Sequence, residues 1–259
     1  MSAKIIEVNE ENLDKYGLFC RKSYMREEGN KQKVDWLKNQ IKAGLRYHQL
    51  LVHERGKLNS RGFIEYIPGE FTWRGISAKG WMSIICLWVT GKAKEQGHGS
   101  GLLNKAIEDA HEKNMYGVVA MAADKQGWLP SPDIYEKNGF ERVDEYEPYF
   151  SLYVKRFDKD APNPKFNQNF NENLKEYGEG ITILYTHQCP HIKNMIDEIK
   201  EFADKNNLLL SLKLLESAED VQKYAVHPYG VFSVILNEKL ITYKPGMRKE
   251  TLGRLKENL

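Results

Sequence analysis

The first 157 residues alternate between two hydrophobic periods. "KIIEVNEEN" reads as a short strand leading into a helix around Leu13 to Ser23. In "VDWLKNQIKAG", Val34, Leu37 and Ile41 recur at helical spacing, and Gly44 ends the run. "RYHQLLVHERGK", "SRGFIEYIPG" and "GWMSIICLWVTG" read as strands separated by glycine-containing turns. A helix follows, with Leu102, Leu103, Ala106, Ile107 and Ala110 forming one apolar stripe, and then "GVVAMAA" as a buried strand. "SPDIYEKNGF" reads as a short helix with Ser131 as N-cap, Pro132 in the first turn, Asp133 near its positive end and Gly139 as a stop. "FERVDEYEPYFSLYVKRF" closes this part as a hairpin.

Periodicity then fades. "RFDKDAPNPKFNQNFNENLKEYGEG" carries two prolines, many asparagines and many charges, the pattern of a linker. Phe157, Phe166 and Phe170 predict an ordered crossing stapled to a domain. After it, "GITILYTHQCPHIKNMIDEIKEFADKNN" predicts a strand, a turn and a long helix with the stripe Ile192, Met195, Ile196, Ile199 and Phe202. A second strand, a helix, a hairpin turning at Asn237-Glu238 and a final helix complete a β-α-β-α-β-β-α order. The expected fold class is α/β with mixed sheets (α+β). An N-terminal domain spans 1–157, a linker 158–177 and a smaller domain 178–259. No tandem repeat occurs at solenoid spacing.

Composition narrows the function classes. At 41% hydrophobic and 11% aromatic residues, the 259-residue chain can bury a sizeable core. Lys+Arg 38 against Asp+Glu 36 leaves +2, without the basic excess expected of a nucleic-acid partner. No apolar run is long enough to span a bilayer, and the charged N-terminus lacks an apolar signal core, so no membrane partner is expected. Cys20, Cys86 and Cys189 are too sparse for a disulfide framework or a zinc site, which points to a reducing cytoplasm and to no bound metal.

The candidate chemistry centres on "VTGKAKEQGHGSGLLNKAIEDA". A glycine-rich turn before a helix lets backbone N–H groups approach a phosphate, and Lys92 and Lys94 add charge. The same glycines also fit a tight strand–helix turn that needs them for geometry alone. The Gly-x-Gly-x-Gly spacing matches neither the dinucleotide fingerprint nor the P-loop.

"LWVTGKAKEQGHGSGLL" resembles motif A of the GNAT N-acetyltransferases, with Lys94 at the Arg/Gln position and Gly97 and Gly99 as the two small residues. "IYEKNGF" resembles the ending of that family's motif B. The motifs stand in the family's order with a strand between them, and the resemblance covers residues 1–157. Two departures are Lys94-Glu95 itself and the absence of an Asn before the short helix, where Trp128 and "LPSP" stand.

The resemblance implies acetyl-CoA as cosubstrate and direct acetyl transfer to an amine of a small molecule or peptide. It implies cofactor contacts from Leu87, Trp88, Val89, Lys94, Glu95, Gln96, Gly97, His98, Gly99, Ser100 and Gly101. It implies Tyr135 as proton donor to the leaving thiolate, against the plainer reading of a packed aromatic. Glu65 and, second, His48 are candidate bases, with Glu70 and Asp124 weaker; each also reads as an ordinary structural residue. Trp73, Trp81 and Trp128 fit either an acceptor cleft or the core.

The C-terminal order resembles the thioredoxin fold, and the two-part arrangement looks like acetyltransferases with a YoaP-like C-terminal domain. Cys189 stands at the first active-site cysteine position, but the turn reads Cys189-Pro190-His191-Ile192 and lacks the resolving cysteine. A module for packing, dimerisation or substrate capture is the leading expectation. Monothiol chemistry at Cys189 beside His187 and His191, and a CoA-binding protein without catalysis, stay as alternatives. Cys20 and Cys86 read as buried small residues. A homodimer is left open.

Overall fold

The computed structural model describes residues 2–54, 56–124 and 128–259. Its elements run β1 (Ala3–Val8), α1 (Leu13–Tyr16), α2 (Glu28–Lys42), β2 (Arg46–Glu54), β3 (Lys57–Pro68), β4 (Ile76–Ser77), β5 (Met82–Val89), α3 (His98–Glu112), β6 (Gly117–Ala123), α4 (Pro132–Glu136), β7 (Glu141–Tyr146) and β8 (Phe150–Arg156). They continue with β9 (Lys165–Phe166), α5 (Phe170–Leu174), β10 (Ile181–Tyr185), α6 (Ile192–Lys205), β11 (Leu210–Leu214), α7 (Ala218–Tyr224), β12 (Phe232–Leu236), β13 (Lys239–Thr242) and α8 (Arg248–Glu257). The chain forms two compact units. One holds residues 1–22, 38–72 and 76–166, and the other 23–37, 73–75 and 167–259.

The first unit is built on a seven-stranded sheet in the order β1-β2-β3-β5-β6-β8-β7. All neighbours are antiparallel except β5 and β6. Side chains alternate across such a sheet, so each strand feeds two layers. Leu50, Ile64, Tyr66, Leu87 and Ala120 pack with Leu102, Leu103, Ala106 and Ala110, the stripe that period 3.6 marks on α3. The other layer holds Tyr47 and Phe63; Phe19 stacks on Phe63 at 4.9 Å. The small strands β4 and β9 pair with each other, and Phe166 is buried there beside Tyr146 at 5.9 Å.

The second unit is built on a four-stranded sheet in the order β11-β10-β12-β13, with β10 and β11 parallel and the other pairs antiparallel. Ile192, Met195, Ile196, Ile199 and Phe202 on α6 are all buried. Asn237 and Glu238 turn the β12–β13 hairpin with φ of 48° and 60°, the left-handed pair a two-residue turn requires. The segment 73–75 runs along the loop before β12. Gly75 N–H donates to the Pro228 carbonyl at 2.9 Å, Asn167 N–H to the Gly75 carbonyl at 3.1 Å, and the Arg74 guanidinium to the Tyr229 carbonyl at 2.6 Å. Gly230 permits this approach, because a Cβ there would stand 2.6 Å from the Trp73 carbonyl oxygen. Trp36 meets Trp73 edge-on at 5.2 Å.

Two local expectations change. The helix expected over Leu13 to Ser23 is one turn, because Gly17 at φ 66° ends it. The helix expected around Val34 begins earlier, at Glu28; its first turns are mostly polar, yet Gly29, Asn30 and Lys33 are buried.

Candidate active site

The site begins with an irregularity in β5. Glu65 faces Cys86 across the β3–β5 ladder and Tyr66 faces Ile84, so Ile85 is an extra residue on β5. Such a bulge bends its strand and adds twist. On its other side β5 pairs with β6 only from Met82–Val118 to Ile84–Ala120. Beyond those three pairs the parallel strands part. A cavity of about 600 Å³ lies against the C-terminal end of β5, walled by Leu87, Trp88 and Val89, by the loop and first turn of α3, and by the segment from Leu129 to Lys137.

The α3 wall has an exposed positive end. The first backbone N–H groups of a helix have no intrahelical acceptor and carry partial positive charge. Here the N-cap is Gly97, with φ 78°, no side chain caps the helix, and its first turn holds no acidic residue. Gly99 and Ser100 of that turn line the cavity. The glycines serve separate needs. Gly97 supplies a left-handed backbone; a Cβ on Gly99 would fall 2.6 Å from Ile134 Cδ1, and one on Gly101 would fall 3.2 Å from Ile5 Cδ1. Packing therefore accounts for two of them, whereas a Cβ on Gly97 would meet nothing within 4 Å. Among the described residues, four charged side chains line the cavity: Lys94 and Glu95 on the α3 side, Asp133 and Lys137 on the α4 side.

Of the sequence-predicted cofactor residues, Leu87, Trp88, Val89, Lys94, Glu95, Gly97, Gly99 and Ser100 line the cavity. Gln96 instead turns its side-chain amide back to the Lys92 carbonyl. His98 opens α3 beside the cavity rather than in its wall, and Gly101 packs on Ile5. Tyr135 is 1% exposed; it lies behind the wall, in the same packed cluster as the lining residues Leu87 and Ala93, with its ring 5.5 Å from Phe140 and 6.0 Å from Tyr153. The Tyr153 hydroxyl donates to Glu136 Oε1 at 2.7 Å, and its pKa is pushed up to about 12 by burial and by that carboxylate.

Glu65 is 1% exposed and lies on the other layer of the sheet, across from Tyr47 on β2 and Cys86 on β5. Burial, and then the Glu65 carboxylate, hold the Tyr47 phenol well above its ordinary range; its oxygen accepts the Phe19 N–H at 2.9 Å. His48 is away from the cavity. It stacks on Tyr66 at 5.7 Å, the Tyr66 hydroxyl reaches the Lys105 carbonyl of α3, and burial lowers the His48 pKa. Glu70 accepts the Gly80 N–H, and Asp124 is exposed. Trp73 and Trp81 are each 1% exposed core residues, and Trp81 donates to the Pro162 carbonyl at 3.1 Å. Trp128 is half-buried and outside the lining. Cys20 and Cys86 are half-buried, not buried as expected; each sits at the margin of the Tyr47 layer. Cys189, also half-buried, stands in the turn before α6, whose Ile192 N–H bonds back to it.

Sequence reasoning missed Ala93 on the α3 side and, as cofactor contacts, the wall of Leu129, Pro130, Ser131, Asp133, Ile134 and Lys137, although the last two lie in the motif B segment. Ser131 and Asp133 had a signal, read as helix punctuation. Ser131 does occupy the N-cap of α4, but its side chain makes no capping bond and faces the cavity.

No family model matches the chain. Two solved structures show similarity at low identity. An acetyltransferase of the GNAT family from Staphylococcus aureus Mu50 is 18% identical with a TM-score of 0.41, covering 61% of this chain and 100% of its own. The PaiA N-acetyltransferase of Thermoplasma acidophilum, solved with coenzyme A, is 17% identical with a TM-score of 0.42, covering 61% and 100%. A curated relative, an uncharacterized N-acetyltransferase named YoaP from Bacillus subtilis (strain 168), is 34% identical over 242 residues, 92% of this chain and 93% of its own. With nearly the whole of both chains aligned at that identity, and with the motif A and motif B segments meeting around one cavity, the chain belongs to the YoaP family of GNAT N-acetyltransferases.

Proposed function

We propose that the protein transfers an acetyl group from acetyl-CoA, held in the cavity at the head of α3, to an amine of a small molecule or peptide within one ternary complex. The observation that carries this reading is the uncapped α3 N-terminus opening onto a cavity where β5 and β6 part. Amides of the first α3 turn with Lys94 suit a diphosphate. The β5 backbone from Leu87 to Val89, unpaired towards β6, suits an extended amide-bearing arm, and Leu87, Val89 and Leu129 give that part of the cavity an apolar wall.

Tyr135 is the proposed proton donor to the departing thiolate, since a phenol's pKa of about 10 lies near that of a thiol. Tyr135 shares a packed cluster with Leu87 and Ala93, which line the cavity, and this adjacency supports the assignment. Glu65 is the proposed base on the opposite layer, where an amine entering from that side meets a buried carboxylate. The gap between β5 and β6 then joins the two layers, with donor on one side and acceptor on the other.

We propose the second unit as a thioredoxin-like module without dithiol chemistry. Its β-α-β-α-β-β-α order supports the first half of that statement, and Ile192 three residues after Cys189 the second.

Isothermal titration with acetyl-CoA tests the donor site; absence of binding at millimolar ligand overturns it. In an acetylation assay with an accepted amine, Tyr135→Phe is expected to lower kcat about 10²-fold while leaving acetyl-CoA affinity nearly unchanged. Unchanged turnover removes Tyr135 from the proposed role.

A further inference from the structure

Lys137 is an exposed cation that forms no salt bridge among the described residues. It follows α4 as its C-cap and stands four residues after Asp133, a spacing at which opposite charges on a helix ordinarily pair. The chain uses that spacing elsewhere: Asp109 with Lys113 at 2.8 Å in α3, and Glu201 with Lys205 at 2.6 Å in α6. Asp133 and Lys137 form no such pair, and among the described residues neither Lys137 nor Lys94 is committed to a carboxylate. Both line the cavity. The absence of a Cβ on Gly99 brings Ile134 of α4 directly onto the first turn of α3. Lys137 lies about one helical turn beyond Ile134 and extends the same wall.

This places two positive features, one on the α3 side and one on the α4 side, around one cavity. The α3 amides with Lys94 are one, and Lys137 is the other. A donor built on coenzyme A carries two separate anionic groups, the diphosphate and the 3′-phosphomonoester of the ribose. The first is matched by the α3 amides and Lys94. We propose that Lys137 recognises the 3′-phosphate and so makes the enzyme selective for coenzyme A over its 3′-dephospho form. This rests on the donor-site reading above. It adds a residue that reads the nucleotide end of the donor, far from the acetyl group, and it assigns the α4 wall a purpose in specificity. Asp133 and Glu95, also on the cavity wall, oppose extra negative charge elsewhere and confine the second phosphate to the Lys137 side.

The test measures dissociation constants of coenzyme A and 3′-dephospho-coenzyme A for the full chain by titration calorimetry. The variants are Lys137→Gln, Lys137→Arg and Lys94→Gln, with circular dichroism confirming that each is folded. The wild type is expected to prefer coenzyme A by roughly two- to fivefold, the scale of one exposed charge contact. Lys137→Gln is expected to erase the preference by weakening coenzyme A alone, and Lys137→Arg to keep it. Lys94→Gln is expected to weaken both ligands by the same factor. Loss of affinity for both ligands in Lys137→Gln, or a preference that survives it, overturns the proposal; the second result assigns Lys137 to Asp133 or to solvent. Failure of the wild type to bind either ligand overturns the donor-site reading itself, whereas binding without selectivity overturns only the role of Lys137.

Discussion

His227 shows how a single buried group couples folding to pH. Its ring stacks on Tyr243 at 4.1 Å, and its Nδ1 accepts the Tyr229 N–H at 3.0 Å. Burial, and then the Arg74 charge, push its pKa down to about 3. An unfolded histidine titrates near about 6.5. Between those values the unfolded chain binds a proton that the native chain does not, so the stabilisation is complete above about pH 6.5 and is lost as pH falls towards 3. His227→Asn keeps an acceptor for the Tyr229 N–H, as an Asx turn does, but cannot titrate in that window. Urea midpoints at pH 7 and pH 4.5 should converge in this variant relative to wild type. An undiminished difference between the two pH values would assign the acid sensitivity to other groups. At this scale the sequence is legible where chemistry is local. Lys94, Gly97 and Gly99 are adjacent in the chain, and eight of the eleven expected cofactor residues line the cavity. Lys137 and Asp133 were not legible as cavity residues, because their partner wall is some forty residues upstream and only a glycine-permitted contact, Gly99 to Ile134, brings the two together.

Elements differ in how openly the chain announces them. The apolar stripe of α6 is buried throughout, and that of α3 is buried at Leu102, Leu103, Ala106 and Ala110 with Ile107 partly covered, since period 3.6 and burial report the same face. The first turns of α2 were hidden, because Gly29, Asn30 and Lys33 are buried despite being polar or small. A Cβ on Gly29 would fall 2.5 Å from the Pro190 carbonyl oxygen, so close backbone approach, not apolarity, selects that residue. Helix starts show a further contrast. Ser217 and Asp220 form a complete capping box on α7, whereas α3 begins at a bare glycine. The parting of β5 and β6 leaves no periodic mark in the sequence; only the family resemblance, which places cofactor contacts at Leu87 to Val89, points to it. It has a measurable result. Among the described residues, the backbone from Leu87 to Val89 makes no ladder pair with β6. Amide hydrogen exchange there is expected to be fast in the free protein and to slow at least tenfold with saturating acetyl-CoA, while Met82 to Ile84 stay protected throughout. Equal protection along all of β5 in the free protein would contradict an open seam.

At the scale of the whole molecule, the second unit is discontinuous in sequence. It draws residues 23–37 and 73–75 to the sheet formed by residues beyond 167. Trp36 and Trp73, the Arg74–Tyr229 cation–π contact at 4.3 Å and the bond from Gln222 to the Arg74 carbonyl all depend on this gathering. No hydrophobic period foretells such long-range attachments; the linker's Phe166 and Phe170 were legible as anchors because an aromatic in a polar run has few other uses. Residues 167–259 expressed alone are expected to be on the order of 3–5 kcal/mol less stable than the same unit in the intact chain, the scale of losing one large buried aromatic contact. Urea unfolding followed by circular dichroism measures this, and an equal midpoint would show that the early segments contribute nothing.

The same gathering sets a timetable for synthesis. A ribosome delivers Trp36 and Trp73 many residues before the surface that will shelter them exists. At about 5–20 residues per second, the nascent chain holds those indoles uncovered for several seconds or longer. During that interval they are the natural footing for a chaperone, and a pause in translation after residue 75 would lengthen it.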